Sequence, residues 1–545
     1  MPPNEGPIEV DRDQVVLRCH RGIVGATGYA RPSEFADAGA MPDANRTNSL
    51  FIAMPQGLGV NGVVVWGIRL ANALADRGWR VAVAAHGEPA GESRIDHGMD
   101  PRVKLIDLGH LPPIDTPGAP LHPVVTAYRD ALDGLGWSVQ SPTIVLPTLE
   151  ANCFAAVAAL ASTHADRMRV IGWHHSDNAF NTALLSTYQP MLTAMVGVSR
   201  LITDDLASAL PWRANDVHHI TCGVNVVPSL PQRQSGPIRL LYAGRLEHEQ
   251  KRIGVLLNLA KMLHNRDVDH EIRFVGGGPA EAEVADAIAD LPSATQLQPA
   301  SQAEMHDHLA WADALLLSSH YEGLSLSMLE AMAAGVVPIV THVRSGATEA
   351  IVDGEQGLLI DPQGDDQHVA ERFADMIARL DDSALRSMAT KAHRRALNRY
   401  SIQTHAKVCE TLFEQSVATD PRWWPLERPC TFTSSSAANN SGSVPPDAAE
   451  RAAKAIANID GPIAIYGAGR HTKAIAEVLA KVNVVCVIDD DPKNHGTTLW
   501  GWPVVGLERC PSGAFVLVSS FIHRQEMAER CRDQQLQAIV LYEEC

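Results

Sequence analysis

The chain has 545 residues, enough for three or four compact units at ~150 residues per domain. Hydrophobic residues make up 46% and charged residues 20%, with 40 Gly and 34 Pro, which excludes wholesale disorder and a collagen-like chain. Forty-five Lys and Arg against 63 Asp and Glu leave a net charge of −18; such a surface repels phosphate backbones and anionic lipid, so no nucleic-acid partner and at most peripheral membrane contact are expected.

The first residues are proline-rich and acidic (Glu9, Asp11, Asp13) and lack the basic and apolar regions of a secretory signal. Apolar stretches are short or broken, as at Arg69, so none reaches the ~18–20 residues of a membrane span. Nine cysteines without a Cys-x-x-Cys pair argue against a disulfide framework and a thiolate metal site. A cytoplasmic protein is expected. Residues 1–45 carry few apolar runs and stay an unassigned extension.

A strand is predicted at 49–54, followed by Gly57-Leu-Gly59 and an amphipathic helix over 64–77, then a strand at 81–85. Strands at 143–146, 169–173 and 195–198 alternate with helices at 151–164 and 201–209. Alternation of this kind implies a doubly wound parallel sheet, here spanning 46–228. After a Pro-rich joint the pattern restarts at 236–400, with strands at 238–242, 271–275, 314–317, 337–340 and 358–360, a helix at 253–264 and a long polar helix over 366–399. Apolar positions at 402, 408, 412 and 413 mark a further helix in 401–418. Residues 419–448 read as a linker, with 433–446 a flexible, cleavable tether. A smaller α/β unit fills 449–545, with strands at 462–466 and 484–488 and a helix at 472–481.

The densest chemistry is Ser318-Ser-His-Tyr-Glu322-Gly323-Leu324-Ser325-Leu-Ser327-Met-Leu-Glu330. A strand ends, a loop carries Glu322, and a helix begins near Leu324 or Ser325. Free amides and the positive end of a helix dipole at the carboxyl edge of a parallel sheet favour an anionic ligand. Glu330 falls about two helical turns beyond Glu322 and would serve another part of the same ligand. Ser327-x-x-Glu330 equally spells a capping box, in which Glu330 only satisfies an amide, and Glu322 equally reads as a solvated loop carboxylate. Tyr242-Ala-Gly244-Arg245-Leu-Glu247-His-Glu249-Gln250-Lys251-Arg252 gathers cations in an acidic protein; these suit a diphosphate, unless Arg245 simply pairs with Glu247 or Glu249.

The second half resembles the donor-binding domain of the retaining GT-B glycosyltransferases of family 4. The resemblance rests on Gly244-Arg245-Leu with Lys251, Val275-Gly-Gly277-Gly-Pro279, Glu322 ahead of Glu330, and Ser345-Gly-Ala-Thr-Glu349 followed by Asp353-Gly. The first half is similar in Gly57-Leu-Gly59, Val198-Ser199 and Cys222-Gly-Val224, with Cys222 and Asn225 where the family usually has Asn and Asp. The resemblance implies a GT-B architecture, two Rossmann-like domains facing a cleft, with the helix at 401–418 crossing back to the first domain and the catalytic body ending near Ala418, to which the third small Rossmann-like domain is added. It implies Arg245 and Lys251, with Arg252 as alternative, on the donor diphosphate. Glu330 would serve the ribose, and Glu322 with the amides of Gly323, Leu324 and Ser325 would hold the sugar. Gly59 and Gly277 would line the donor. It implies retention of anomeric configuration, with the departing diphosphate as base, and requires no metal or cofactor. The donor is expected to be a nucleotide-diphosphate sugar carrying UDP or GDP, and the acceptor a saccharide or other hydroxyl in carbohydrate biosynthesis.

Ile171-Gly-Trp-His174-His175-Ser-Asp177 resembles the strand end where such enzymes present a histidine to the cleft. His175 is the candidate, and His174, on the other side of the strand, reads as packing; no third ligand at metal spacing accompanies them. In the last unit, Gly467-Ala-Gly469-Arg-His-Thr472 and Asp489 at a strand end form a candidate second nucleotide site, although the fingerprint wants Gly at Thr472. That unit also resembles the nucleotide-fold segment of sugar acyltransferases. Nucleotide-sugar binding, homo-oligomer assembly and a packed appendage all stay open for it. Two readings compete with transfer: a nucleotide-sugar epimerase of the same two-domain architecture, and a non-catalytic nucleotide-sugar sensor.

Overall fold

The computed structural model describes residues 48–431 except 60, 89–93, 112–113, 115–120, 149 and 231–235, and residues 448–541 except 458, 460, 468–471, 473–474, 480, 491–494, 497, 500 and 520–523. Residues 1–45, the tether at 433–446 and Gly469 therefore lie outside the described residues. The chain divides into two units, at Thr431 and Phe432.

In the first unit, β1 (Ser49–Met54), α1 (Gly62–Asp76), β2 (Arg80–Ala85), β3 (Lys104–Asp107), α2 (His122–Leu135), β4 (Thr143–Pro147), α3 (Ala151–His164), β5 (Met168–His174), α4 (Ala179–Tyr188), β6 (Leu192–Gly197), α5 (Arg200–Ala209) and β7 (Val217–His219) follow in order. The seven strands are all parallel, in the order β3-β2-β1-β4-β5-β6-β7. β1, β4, β5 and β6 are buried along their whole length, as strands covered on both faces by helices must be. The first helix starts two residues before the 64–77 expectation, because the Asn61 side chain accepts from the Val63 amide at 2.8 Å and caps it there.

A second sheet follows, built from β8 (Ile238–Ala243), α6 (Ile253–Asn265), β9 (His270–Val275), α7 (Glu281–Ile288), β10 (Ala294–Leu297), α8 (Gln302–Trp311), β11 (Ala314–Leu317), α9 (Leu326–Ala334), β12 (Val337–Thr341), α10 (Ala347–Ala350) and β13 (Leu358–Ile360). It too is parallel, in the order β10-β9-β8-β11-β12-β13. Strand order reverses between β8 and β11, and in such sheets ligands bind in the crevice beyond the carboxyl ends of the two strands flanking that reversal.

The single polar helix expected over 366–399 is two helices, α11 (Asp366–Ile377) and α12 (Asp382–Arg399). Asp381 makes the break: its carboxylate accepts from the Ala384 amide at 2.7 Å and starts a new helix. Then α13 (Ile402–Val417) returns to the first sheet. Val224 and the chain entering α13 bond side by side, Val224 N to Tyr400 O and Ile402 N to Val224 O, both at 2.8 Å. A Cβ on Gly223 would lie 2.5 Å from that of His405, so glycine is required where the two crossings touch. Trp66 Nε1 meets His405 Nε2 at 3.0 Å and Trp79 Nε1 meets Glu410 at 2.9 Å, fixing α13 on α1.

The linker expected at 419–448 begins too early. Residues 419–431 are a strap on the first domain: Trp424 is 2% exposed, its ring 5.2 Å from that of Tyr188. Arg169 donates to Thr419 O at 2.7 and 3.0 Å, Arg422 pairs with Asp216 at 3.1 Å, and Tyr188 Oη donates to Cys430 O at 2.7 Å. A buried indole in a polar stretch supplies the apolar area that holds the strap, so the body extends past Ala418 to Thr431.

In the second unit, α14 (Ala448–Ile456), β14 (Ile463–Tyr466), α15 (Ala476–Leu479), β15 (Val484–Ile488), β16 (Thr498–Leu499), β17 (Trp502–Val505), β18 (Phe515–Val518), α16 (Arg524–Asp533) and β19 (Gln537–Val540) form a sheet of order β16-β17-β15-β14-β18-β19. All pairs are parallel except β16 with β17.

Candidate functional site

The reversal between β8 and β11 places the two sequence-flagged loops side by side. Leaving β8, the segment Gly244–Leu246 interlocks with the loop that leaves β9: Gly244 N bonds to Val275 O at 3.1 Å, and Leu246 N to Gly277 O at 2.9 Å. The fit needs glycine, since a Cβ on Gly276, at φ +146°, would sit 2.0 Å from Gly244 O. The main chain of Arg245 is thereby fixed, with the Tyr242 hydroxyl also donating to its carbonyl at 2.5 Å. Its side chain is exposed and pairs with neither Glu247 nor Glu249, so the guanidinium stays available to an anion.

Lys251 reaches across the reversal. Its Nζ lies 2.5 Å from Glu322 Oε1, which also accepts from Ser319 Oγ at 2.8 Å. Glu322 is thus no solvated loop carboxylate. The neighbouring Arg252 is committed elsewhere, to Asp366 at 2.7 Å and to the carbonyls of Pro362 and Gly364, which leaves Lys251 as the cation of this loop.

Beyond Glu322 the chain enters α9. Ser325 caps it, accepting from Met328 N at 3.3 Å; Ser327 does not, so the capping box expected as one reading of Ser327-x-x-Glu330 is absent. Freed from that duty, Glu330 bonds through Oε1 to Nη2 of Arg69 at 2.5 Å. Arg69 belongs to α1 of the first domain. It appeared in sequence only as the residue breaking an apolar run; an arginine that interrupts an otherwise buried helix is itself the signal, because a buried guanidinium requires partners.

Other residues line the seam between the two halves of this unit. A Cβ on Gly323 would lie 2.1 Å from His175 O, and Gly346 N donates to Gly323 O at 2.6 Å. Leu324 is buried here. Glu349, from the Ser345–Glu349 motif, accepts from Arg200 N at 2.5 Å and lies 3.2 Å from His219, so it caps α5 from the opposite domain. Gly59 follows β1 in the first domain; its carbonyl and that of Leu58 lie 3.1 and 3.0 Å from His97 Nε2. Gly277 sits in the β9 loop, where a Cβ would lie 3.2 Å from Pro299.

His175 is partly buried, its ring 4.5 Å from Trp66 and stacked at 6.3 Å on Trp173. Burial, with His174 and His405 nearby, pushes its pKa down to about 3. A neutral imidazole at pH 7 can donate or accept a hydrogen bond but is a poor proton acceptor, and its Nε2 has no partner among the described residues. His174 bonds Thr182 at 3.0 Å. Among the described residues no three His, Cys, Asp or Glu converge as a metal site.

In the second unit, Gly467 ends β14 at φ +106°. Thr472 Oγ1 donates to Gly467 O at 2.6 Å and lies 2.8 Å from Ser519 Oγ, filling the place where a fingerprint would have glycine. Asp489 follows β15, and His495 Nε2 lies 2.8 Å from its carbonyl.

Similarity to known proteins falls on these loops. The chain is 28% identical over 232 residues to an MMP alpha-(1->4)-mannosyltransferase of Mycolicibacterium hassiacum, covering 41% of this chain and 54% of that protein. Among the curated relatives it matches, it spans between 16% and 64% of their length. Its fold is that of sucrose-phosphate synthase from Thermosynechococcus elongatus, at TM-score 0.55 and 17% identity over 69% of this chain and 100% of that one. A pneumococcal O-GlcNAc transferase, solved with UDP and GlcNAc, superposes at TM-score 0.54 and 12% identity over 69% of this chain and 100% of that one. The architecture of the first unit is accordingly GT-B. Among the described residues no helix is long and apolar enough to cross a membrane. Residues 237–380, which carry Arg245, Lys251, Glu322 and Glu330, match the family model described as glycosyl transferases group 1.

Proposed function

We propose that the chain is a glycosyltransferase that moves a sugar from a nucleotide-diphosphate sugar, with UDP- or GDP-sugars as donors, to an acceptor hydroxyl, with retention of configuration and without a metal. The observation that carries this is the arrangement at the β8/β11 reversal: Lys251 beside Glu322 at 2.5 Å, Arg245 exposed and without an ion-pair partner among the described residues, and the capped start of α9. The O-GlcNAc transferase solved with UDP supports the donor class.

In this reading Arg245 and Lys251 take the diphosphate oxygens, and the amides at Gly323–Ser325 with Glu322 hold the sugar. As the bond from the anomeric carbon to the diphosphate breaks, negative charge grows on the leaving oxygen, where fixed cations and amides stabilise it. The acceptor oxygen bonds to that carbon on the same face, and its proton passes to the departing diphosphate. His175, neutral, serves as a hydrogen-bonding group rather than as the base. Gly59 and Gly277 allow the first-domain loop and the β9 loop to approach the donor closely.

The acceptor side lies at the loops following β1 to β5. Their described charges are Glu88, Asp96, Asp100, Glu150 and Asp177 against Arg94 and Arg102. Both arginines are taken, Arg94 by Asp107 at 2.7 Å and Arg102 by Asp100 at 2.6 Å. Among the described residues no free cation there awaits a phosphate, which favours an uncharged saccharide or other neutral hydroxyl compound as acceptor.

Turnover of UDP- and GDP-sugars, with and without neutral saccharides, tests the reading. Sugar transfer only when acceptor is present supports it. Epimerised nucleotide sugar or free nucleotide without transfer indicates the epimerase, and binding without turnover a sensor.

A further inference from the structure

Arg69 is 7% exposed, in a helix whose other buried residues are Val63, Val64, Trp66, Gly67, Ile68, Leu70, Ala71, Leu74 and Ala75. Removing a guanidinium from water without pairing every N–H is costly, so each partner carries information. One edge is satisfied. Nη2 meets Glu330 Oε1 at 2.5 Å, and with the Gln302 carboxamide turned so that its oxygen faces the arginine, that oxygen lies 3.0 Å from both Nε and Nη2. The other edge is not satisfied, since Nη1 is buried without a hydrogen-bond partner. Glu330 is half used in the same way: Oε1 is engaged and no described residue donates to Oε2. Across the seam, a buried donor and a partly exposed acceptor, on a side chain 16% exposed, thus stand unpaired among the described residues on two groups that already touch.

We propose that Arg69 and Glu330 together read the cis-diol of the donor ribose, Oε2 accepting from one ribose hydroxyl and Nη1 donating to the oxygen of the other. This rests on the reading of Glu330 as the ribose residue and adds to it a first-domain residue and a selectivity. Guanidinium and carboxylate form one rigid unit, so a donor seated on Glu330 also engages α1, and the first domain takes part in donor binding as well as acceptor binding. A 2′,3′-dideoxynucleotide would leave both groups buried and unpaired, the situation in which binding sites discriminate most strongly.

The experiment measures binding of UDP, GDP and their 2′,3′-dideoxy counterparts to the full chain by titration calorimetry. The wild type is expected to favour ribonucleotides at least tenfold. Arg69→Lys and Arg69→Gln, the second retaining a hydrogen bond to Glu330, should each lose about tenfold in ribonucleotide affinity while dideoxynucleotide affinity stays within about twofold; melting curves verify folding. Glu330→Gln should erase the same preference. Equal loss for both nucleotide classes in the Arg69 variants would show a merely structural role and overturn the proposal. So would tighter ribonucleotide binding, which would make Arg69 a competitor for Glu330. If Glu330→Gln keeps the wild-type preference, the reading of Glu330 itself fails. If Glu330→Gln loses the preference and the Arg69 variants keep it, only the role of Arg69 fails.

Discussion

Replacing Glu322 by Gln removes one charge of a pair whose side chains are only 14% and 19% exposed. The carboxamide is nearly isosteric and its oxygen can still accept from Ser319 Oγ, so the loop should keep its shape. Two consequences of opposite sign follow. The sugar loses a charged hydrogen-bond acceptor, and kcat should fall by about 10²–10³, the range seen when one preorganised polar group is removed from a transition-state site. The diphosphate, however, no longer meets a carboxylate beside its lysine. At an effective dielectric of about 20, unit charges about 7 Å apart interact by ~2 kcal/mol, and residual water reduces this to about 1. Free UDP or GDP should therefore bind Glu322→Gln about fivefold more tightly than the wild type, whereas Lys251→Met, which leaves the carboxylate without its cation, should bind it more weakly and also turn over more slowly. Calorimetric affinities with steady-state kcat for both variants decide the matter. Weaker nucleoside-diphosphate binding in Glu322→Gln would refute the claim that this pair sits at the diphosphate.

Trp424→Ala in the full chain should destabilise the first unit by about 3–5 kcal/mol, the usual cost of truncating a buried aromatic residue, because the indole is 2% exposed and packed against Tyr188; an unchanged melting temperature would return 419–431 to the status of linker. Burial pushes His86, His174 and His405 down to about 4 and His175 to about 3. Below the ordinary imidazole value of ~6.5 the unfolded chain then binds protons that the folded one refuses. The stability these groups contribute is complete above that value and is lost as the pH falls through about 4, on the order of 1 kcal/mol per pH unit for each histidine. The urea midpoint should drop between pH 7 and pH 5, and a flat profile would count against neutral, buried imidazoles. Transfer should persist in excess EDTA, since Arg245, Lys251 and the α9 amides supply the positive charge; loss of activity with rescue by Mn²⁺ or Mg²⁺ would show that they do not suffice.

What could be read in the sequence and what could not divides along a physical line. The central strands, such as Leu240–Tyr242 and Leu315–Leu317, are covered on both faces and so appear as unbroken apolar runs, with the loops at their carboxyl ends marked by Gly244, Gly277 and Gly323. Edge strands lack that pressure. Lys104–Asp107 has no buried residue and Ala294–Leu297 none either, and neither strand was foreseen. Caps are legible only to within the spacing of their candidates: Ser325 and Ser327 sit two residues apart, and the backbone at the start of α9 chooses the first, which changes Glu330 from a capping residue into one that faces another domain. Its partner, Arg69, is 261 residues away in the chain, beyond the reach of any periodicity. The strap is a similar case, because Trp424 had the composition of a linker around it and only its contact with the Tyr188 ring and its main-chain bond to Ala161 O at 3.4 Å give it a place. Chemistry carried by one loop, as in Arg245 with Lys251, is visible to sequence because its residues are neighbours. Chemistry shared across the seam of two domains is written in the sequence only as a cost, a buried charge in an apolar helix, and the structure is needed to show what offsets it.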